Sequence, residues 1–448
     1  MDDLSNSFLP AIFILFLICF LSLGLFLKKT SQAIDYRLFL GSFPSLARNS
    51  NRLPEWFTEV QRRMAHAALI SVEFKDLLSN MSHRVVEDQL VPLLVHAAKT
   101  GTTIDLQEVC SRFAFDVNMN TIFGIHANYL SIELPSNDLA EAIGTVQEAG
   151  LYRHIMPMFL WKLMRLFGVG REGELIKALK TINTHFFEYI SEKQTNMINE
   201  VKTFDLLSAY VNSIQKHKRT TTDPSPHKND EKFLRDSMFS LFVAGKDTIG
   251  SGLIWFFWLV SKTPSVEKKI LEELKGLVSC LKKGKVIEWP WVFDADDING
   301  LVYLHAALCE SLRLYPPVPI NSKTVLNEVV LPDGSLIQPG MQILIPFYSV
   351  GRMPWIWGED CLEFRPERWI DDDGKLNRHE SKFFTFNLGP RTCLGKDMSF
   401  SQMKAVVAAV LFNFQVQVLE GQQVRPKPAI TLHMEKGLEV KIQKRAVT

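Results

Sequence analysis

Residues 386–395 read FNLGPRTCLG, and this segment decides the fold. A glycine on each side of Cys393 allows the backbone there to turn tightly. The pattern predicts that Cys393 opens the last helix, residues 393–412, whose positive N-terminal end favours a thiolate. Arg391 adds a cation that is able to pair with an anionic group. A cysteine in this setting is a candidate metal ligand rather than an ordinary core thiol.

Two further segments place polar groups inside predicted helices. Glu310-Ser-Leu-Arg313 puts opposite charges three residues apart, on one helix face. Ala244-Gly-Lys-Asp-Thr248 lies in the middle of a long apolar helix predicted at residues 233–261. Glycine and threonine both weaken a helix interior, so this segment is typical of a functional position. Thr248 is expected to bond the carbonyl group four residues earlier and to open a small groove.

Together these segments resemble the cytochrome P450 family. The family's haem loop, F-x-x-G-x-R-x-C-x-G, is matched at all five fixed positions, namely Phe386, Gly389, Arg391, Cys393 and Gly395. The resemblance implies that Cys393 is the axial ligand to the iron of haem b and that Arg391 pairs with a haem propionate. Backbone N–H groups around the thiolate would tune its electron donation.

The other segments match the E-x-x-R and A/G-G-x-D/E-T elements of the same family. The resemblance implies a buried network of Glu310, Arg313 and Arg368, the last within FRPERW at 364–369. Buried charges persist only when they are paired, so we expect this network to support the haem loop structurally.

The A/G-G-x-D/E-T match implies the catalytic residues. Asp247 and Thr248 are expected to deliver protons to bound oxygen, and Gly245 to leave room for dioxygen. Arg62 falls at the arginine position of the family's W-x-x-x-R helix, which holds a haem propionate, but Thr58 stands where the tryptophan is expected. The resemblance also implies that a family segment is missing near residues 58–62, and we expect its loss to weaken substrate binding.

The remaining pattern predicts a mainly α fold of the cytochrome P450 type with small β-sheets. We expect helices at residues 233–261, 265–275, 301–314 and 393–412, a hairpin at 329–337 turning at Asp333-Gly334, and strands at 342–348, 430–434 and 438–442. The polar stretch 216–232 is predicted to be an exposed loop.

The N-terminus predicts a membrane anchor. Residues 8–27 contain no charge, and about 20 apolar residues span a bilayer core. Lys28 and Lys29 follow, so we expect one transmembrane helix within residues 1–30 and a catalytic domain, 31–448, on the cytosolic side of the endoplasmic reticulum membrane. A cleaved signal peptide is the alternative, but the segment before the apolar run has no lysine or arginine.

Composition narrows the class of partner. The net charge of +1 argues against a nucleic-acid binder. The six cysteines include no C-x-x-C pair, which argues against a zinc site. The expected partners, all implied by the resemblance, are O2, membrane lipid and an NADPH–cytochrome P450 reductase. Arg391, Lys396 and Lys404 are candidates for the surface on which the reductase docks. For the two lysines, the alternative is an ordinary solvent-exposed surface without a partner.

Residues 244–270 and 301–313 resemble plant fatty-acid ω-hydroxylases and mid-chain alkane hydroxylases, with the alkane hydroxylases as the nearer match of the two. This resemblance implies insertion of one oxygen atom into a C–H bond of a long-chain aliphatic substrate. Two alternatives stay open. One is a truncated, catalytically impaired isoform. The other is a haem-thiolate enzyme that rearranges peroxides. Enzymes of that second class tend to lose the acid–threonine pair, which is present here as Asp247 and Thr248.

Overall fold

The computed structural model describes residues 72–198, 205–220, 230–282, 289–377, 379, 381–427 and 429–446. Its helices are α1 Val72–Val85, α2 Val91–Thr100, α3 Leu106–Phe123, α4 Asp138–Ile155, α5 Met158–Phe167, α6 Gly170–Ile198, α7 Leu206–Thr220, α8 Asp230–Lys262, α9 Pro264–Lys282, α10 Ala295–Asn299, α11 Val302–Leu314, α12 Phe347–Val350, α13 Pro354–Trp357 and α14 Lys396–Asn413. A π-helical turn, Val86–Leu90, joins α1 to α2.

Helix α8 lies at the centre of the fold, and its second half is apolar on nearly every side. Leu253 and Phe256 are fully buried, and α8 packs along α3 for much of its length. Trp255 stacks on Tyr315 with 4.0 Å between ring centroids, and its indole N–H donates to the carbonyl of Leu432 at 2.7 Å. The apolar run in the second half of α8 therefore builds the core.

The strands are short and form four small antiparallel sheets in the described residues. They are β1 Thr103–Asp105, β2 Asn321–Thr324, β3 Val329–Val330, β4 Leu336–Ile337, β5 Gln342–Ile345, β6 Phe414–Val418, β7 Pro426–Lys427, β8 His433–Met434 and β9 Glu439–Lys444. Strand β9 lies between β1 and β6, β2 pairs with β5, β3 with β4, and β7 with β8. The predicted hairpin turning at Asp333-Gly334 is confirmed, with Val329 opposite Ile337.

Several predicted boundaries were wrong. Helix α14 begins at Lys396, so Cys393 lies in the turn before the helix. Both ends of the predicted loop at 216–232 are helical, because α7 continues to Thr220 and α8 begins at Asp230. The two C-terminal strands belong to different sheets.

The predicted anchor lies outside the described residues, as do Arg62 and Thr58. Within the part of the chain that the structure describes, no helix is long and apolar enough to span a bilayer.

Candidate active site

The Cys393 loop is a compact turn closed by its own backbone. Gly389 begins a short 3₁₀ turn with a φ of 64°, which suits glycine. Asn387 also has a positive φ, 57°, and its side chain accepts a 2.7 Å bond from the amide of Asn321 in β2. The N–H of Cys393 donates to the carbonyl of Phe386 at 2.8 Å. The loop is thereby tied to the sheet of β2 and β5.

Gly395 has a different role from the one expected. Its φ of −87° is open to any residue. A Cβ there would lie 3.8 Å from the Cys393 sulfur, an ordinary contact. Burial of the thiol raises the pKa of Cys393, and the backbone N–H of Gly395 and the ammonium group of Lys396 only partly oppose this rise. The side chain of Cys393 is nevertheless accessible, so its sulfur is open to a ligand.

A second cation accompanies Arg391. Burial lowers the pKa of the Lys323 ammonium group in β2, and the nearby guanidinium group of Arg391 lowers it further. Across the described residues, neither side chain forms an ion pair with an acid. Arg391 and Lys323 are therefore the two neighbouring cations that would pair with a dianionic group near the Cys393 turn. Sequence reasoning missed Lys323, because only the pairing of β2 with β5 brings it to the loop.

The structure brings Glu310, Arg313 and Arg368 together. Glu310 and Arg313 are buried in α11, and two guanidinium nitrogens of Arg313 donate to the carboxylate at 2.8 Å each. Arg368 reaches the same carboxylate at 3.3 Å. Trp369, which the sequence did not single out, adds a 2.8 Å bond from its indole N–H. The Glu310 carboxylate is therefore surrounded by donors.

Aromatic contacts connect this network to the Cys393 loop. Trp369 packs edge-on against Phe383, with 4.8 Å between ring centroids, and Phe383 meets Phe386 at 6.0 Å. The hydroxyl of Thr385 also donates to the carbonyl of Leu312 in α11 at 2.9 Å. The network thus supports Phe386, whose carbonyl accepts the hydrogen bond that closes the Cys393 turn.

The middle of α8 has an open face. Ala244 is exposed and Thr248 is half-buried, although α8 is otherwise mostly enclosed. The hydroxyl of Thr248 donates to the carbonyl of Ala244 at 2.7 Å, which is the bond expected from the sequence. Leu394, next to Cys393, packs against a hydrophobic cluster to which Phe242 of α8 also belongs. Helix α14, which follows the loop, packs against α8.

Gly245 does not face the open side, so the expected role for it was wrong. A Cβ at this position would lie 2.8 Å from the amide oxygen of Asn118. That side chain, in α3, donates to the carbonyl of Phe242 at 3.1 Å. The glycine is needed for close packing of α8 on α3, and the room on the open face comes from Ala244.

Asp247 points away from solvent and is almost fully buried. The ammonium group of Lys246 donates to its carboxylate at 2.9 Å, and the amide of Gln147 in α4 also donates to it. Asp247 therefore neighbours Thr248 in sequence but occupies a separate polar environment.

Lys404 is buried and does not belong to the candidate docking surface for the reductase. It is 3% exposed, and its ammonium group donates to the carbonyls of Ile298, Asn299 and Leu301. Burial lowers the pKa of Lys404 to about 8. Lys396 lies over the ring of Phe386 at 5.9 Å.

These residues fit haem. Cys393 is exposed in its turn, Arg391 and Lys323 offer cations for propionates, and Ala244 presents a small, exposed side chain in the middle of α8. Bound haem would supply oxygen activation at its thiolate-ligated iron.

Comparison with known proteins agrees with this geometry. The cytochrome P450 family model matches residues 43–442. Alkane hydroxylase MAH1 of Arabidopsis thaliana is 40% identical over 397 residues, covering 86% of this chain and 75% of the relative. Noroxomaritidine synthase 2 of Narcissus aff. pseudonarcissus is 37% identical, with 86% and 74% covered.

A third relative is cytochrome P450 86B1 of Arabidopsis thaliana, 36% identical with 87% of this chain and 69% of the relative covered. A crystal structure of a cytochrome P450 superposes with a TM-score of 0.67 at 20% identity, covering 86% of this chain and 78% of that one, and this likeness concerns the fold. With the family model spanning most of the chain, and with the Cys393 loop and its supporting network in place, this protein belongs to the cytochrome P450 family.

Proposed function

We propose that this protein is a monooxygenase that binds haem b through Cys393 and hydroxylates C–H bonds of long-chain aliphatic substrates. The observation that carries the proposal is the exposed Cys393 in a turn that its own backbone closes, with the Glu310 network packed behind that turn. On the open face of α8, the Thr248 hydroxyl donates to the carbonyl of Ala244.

Each residue of the site has a separate proposed role. Cys393 anchors the cofactor and donates electron density to it, and the Glu310 network keeps the Cys393 loop in one conformation. Arg391 and Lys323 neutralise the propionates. The Thr248 hydroxyl holds a proton donor at the open face of α8, and Asp247 supplies protons from the buried side.

Similarity to known proteins favours an aliphatic substrate. The relative named alkane hydroxylase supports the same substrate class at 40% identity.

The proposed electron donor is a membrane-bound NADPH–cytochrome P450 reductase, and the proposed location is the endoplasmic reticulum membrane, with residues 1–30 as the anchor. Lys396 and Arg391 remain candidates for the docking surface, since Arg391 is exposed and Lys396 half-buried on the side of the Cys393 turn. The charge-free run at residues 8–27 supports the anchor.

A carbon monoxide difference spectrum tests the proposal first. The wild-type protein should show the band of a thiolate-ligated haem, and Cys393→Ser should lose it. Cys280→Ser is the matched control, because Cys280 is also an accessible cysteine but lies on α9. A band that persists in Cys393→Ser contradicts the ligand assignment.

Product analysis then separates the candidate functions. Incubation with reductase, NADPH and long-chain alkanes or fatty acids should yield monohydroxylated products. A wild-type protein with no thiolate band would instead support the truncated, impaired isoform. Conversion of lipid hydroperoxides without NADPH would support the rearranging enzyme.

A further inference from the structure

His379 lies against two tryptophan side chains. Its ring meets Trp369 edge-on at 5.2 Å and Trp357 edge-on at 5.8 Å between ring centroids. The ring nitrogen Nε2 lies 2.7 Å from the carbonyl oxygen of Arg368. Because a carbonyl oxygen only accepts, this nitrogen carries the hydrogen and donates. His379 therefore contacts two consecutive residues, Arg368 and Trp369, whose side chains both donate to the Glu310 carboxylate.

The partners of His379 are themselves fixed in place. The guanidinium group of Arg368 also donates to the carbonyl of Trp357 at 2.8 Å. The rings of Trp357 and Trp369 pack on each other, with 5.7 Å between centroids. The imidazole thus completes a cluster of three rings beside the backbone of Arg368, and its own position is set by the Glu310 network.

The backbone of His379 has a conformation that most residues avoid. Its φ is 41°, in the left-handed region where histidine is tolerated better than bulky or β-branched residues. Its carbonyl accepts from the backbone N–H groups of Lys382 at 2.9 Å and Phe383 at 3.1 Å. A backbone in this region that contacts hold from both sides is typical of a functional position.

Phe383 connects this turn to the Cys393 loop. It is buried, and its ring lies 6.0 Å from the ring of Phe386. The carbonyl of Phe386 accepts from the N–H of Cys393 at 2.8 Å. A movement of the turn at His379 would therefore reach the cysteine through one aromatic contact and one hydrogen bond.

We propose that His379 is a positioning residue for the iron ligand, Cys393. Its ring binds to the Glu310 network, and its carbonyl closes the turn that carries Phe383. In this role His379 acts through other residues and not on a reacting atom. A thiolate that keeps one orientation also keeps its hydrogen bonds and its shielding from water, which tune the bound iron. The inference rests on the proposed function, because it assumes that Cys393 binds haem.

Two variants of equal length separate this role from packing alone. His379→Gln keeps an N–H donor at about the reach of Nε2, while His379→Met has no donor. Both variants lose the aromatic ring, and both place a residue other than glycine at the same positive φ. A difference between them therefore reports the hydrogen bond to Arg368 and not the loss of volume or the backbone strain.

The first test needs no haem chemistry. Hydrogen exchange of the full-length protein, read by mass spectrometry on peptides covering residues 386–395, follows the N–H of Cys393. In His379→Met this group should exchange about fivefold faster than in the wild type, the scale of one lost hydrogen bond. His379→Gln should stay close to the wild type, and peptides from α7 should be unchanged in both variants. Unchanged exchange at 386–395 in His379→Met, or an equal increase in α7, overturns the proposal.

The second test reads the iron ligand in the haem-loaded protein. In His379→Met the carbon monoxide complex should lose its thiolate band about fivefold faster, by the same lost bond. The reduction potential of the haem should rise, because water that reaches the sulfur weakens its electron donation. His379→Gln should restore both values.

His185→Met is the matched control. His185 is also half-buried, bonds Asp138 at 3.1 Å and packs 6.0 Å from the ring of Tyr189, but it lies on α6. It should leave the band and the potential unchanged.

Equal rates of band loss in His379→Met and His379→Gln, or the same change in His185→Met, overturn the positioning role. The proposed function fails in a different way, namely when the wild-type protein shows no thiolate band. The exchange result at residues 386–395 does not depend on that outcome.

Discussion

Replacing Glu310 by glutamine removes the carboxylate that Arg313 and Arg368 share, with almost no change in volume. The carboxylate accepts two bonds from Arg313 at 2.8 Å, one from Arg368 at 3.3 Å and one from Trp369 at 2.8 Å. A glutamine amide would turn an N–H group towards at least one of these donors.

The magnitude follows from burial. Glu310 is fully buried and the Arg313 side chain is 1% exposed, and breaking such a pair costs about 3–5 kcal/mol. Arg313 retains carbonyl acceptors on Cys361, at 2.7 Å, and on Glu363, at 3.1 Å. Because these bonds keep its guanidinium partly satisfied, we expect the lower end, about 3 kcal/mol, which is a large share of a typical domain stability of about 5–15 kcal/mol.

Urea unfolding followed by tryptophan fluorescence measures this loss. With a slope of about 3 kcal/mol/M or more, the midpoint should fall by up to about 1 M. Glu272→Gln is the matched control, because Glu272 is 62% exposed and its pair with Lys268 spans 3.8 Å; such a pair contributes about 0–1 kcal/mol. If the two variants unfold at the same urea concentration, the network does not stabilise the fold as argued.

Three other changes have defined outcomes. Thr248→Ala should retain haem but form more peroxide and less product per NADPH, since the hydroxyl organises protons and does not bind haem; an unchanged ratio would make Thr248 a packing residue. Lys323→Met should weaken haem retention by about fivefold or less, the scale of one exposed charge pair, measured by haem transfer to apomyoglobin with Lys441→Met as control. The pKa of Lys404 is about 8 in the folded chain against an ordinary 10.5. Between these values the unfolded chain binds more protons, so the free energy of unfolding should rise with pH from 8 to 10.5, and Lys404→Met should lose that rise.

The long helices and the haem loop were predictable because their signals are local. The apolar run of α8 and the turn at Asp333-Gly334 depend on residues close in sequence, and the structure confirms both. The start of α14 was placed three residues early. Gly395 at its N-cap makes no side-chain bond to fix that boundary, so the pattern around it gives no strong signal.

The remaining site residues depend on contacts between distant segments. Lys404 was expected on the surface, but the carbonyl groups at the end of α10 capture its ammonium group, and that contact joins segments about a hundred residues apart. Gly245 was expected to make room for oxygen, whereas its neighbour is Asn118 on α3. Neither contact follows from helical periodicity, which identifies a buried face without identifying its partner.

Glu310 and Asp247 are both buried carboxylates with a cationic partner, but their surroundings differ. Glu310 is enclosed by side-chain donors from Arg313, Arg368 and Trp369 and has no cavity of comparable size beside it among the described pockets. Asp247 has a lysine and an amide as partners and borders a cavity of about 440 Å³. The packing therefore encloses Glu310 in fixed partners and leaves Asp247 beside open polar space. With the role proposed above for Asp247, we expect Glu310→Gln to change mainly the free energy of unfolding and Lys246→Met to change mainly the product formed per NADPH.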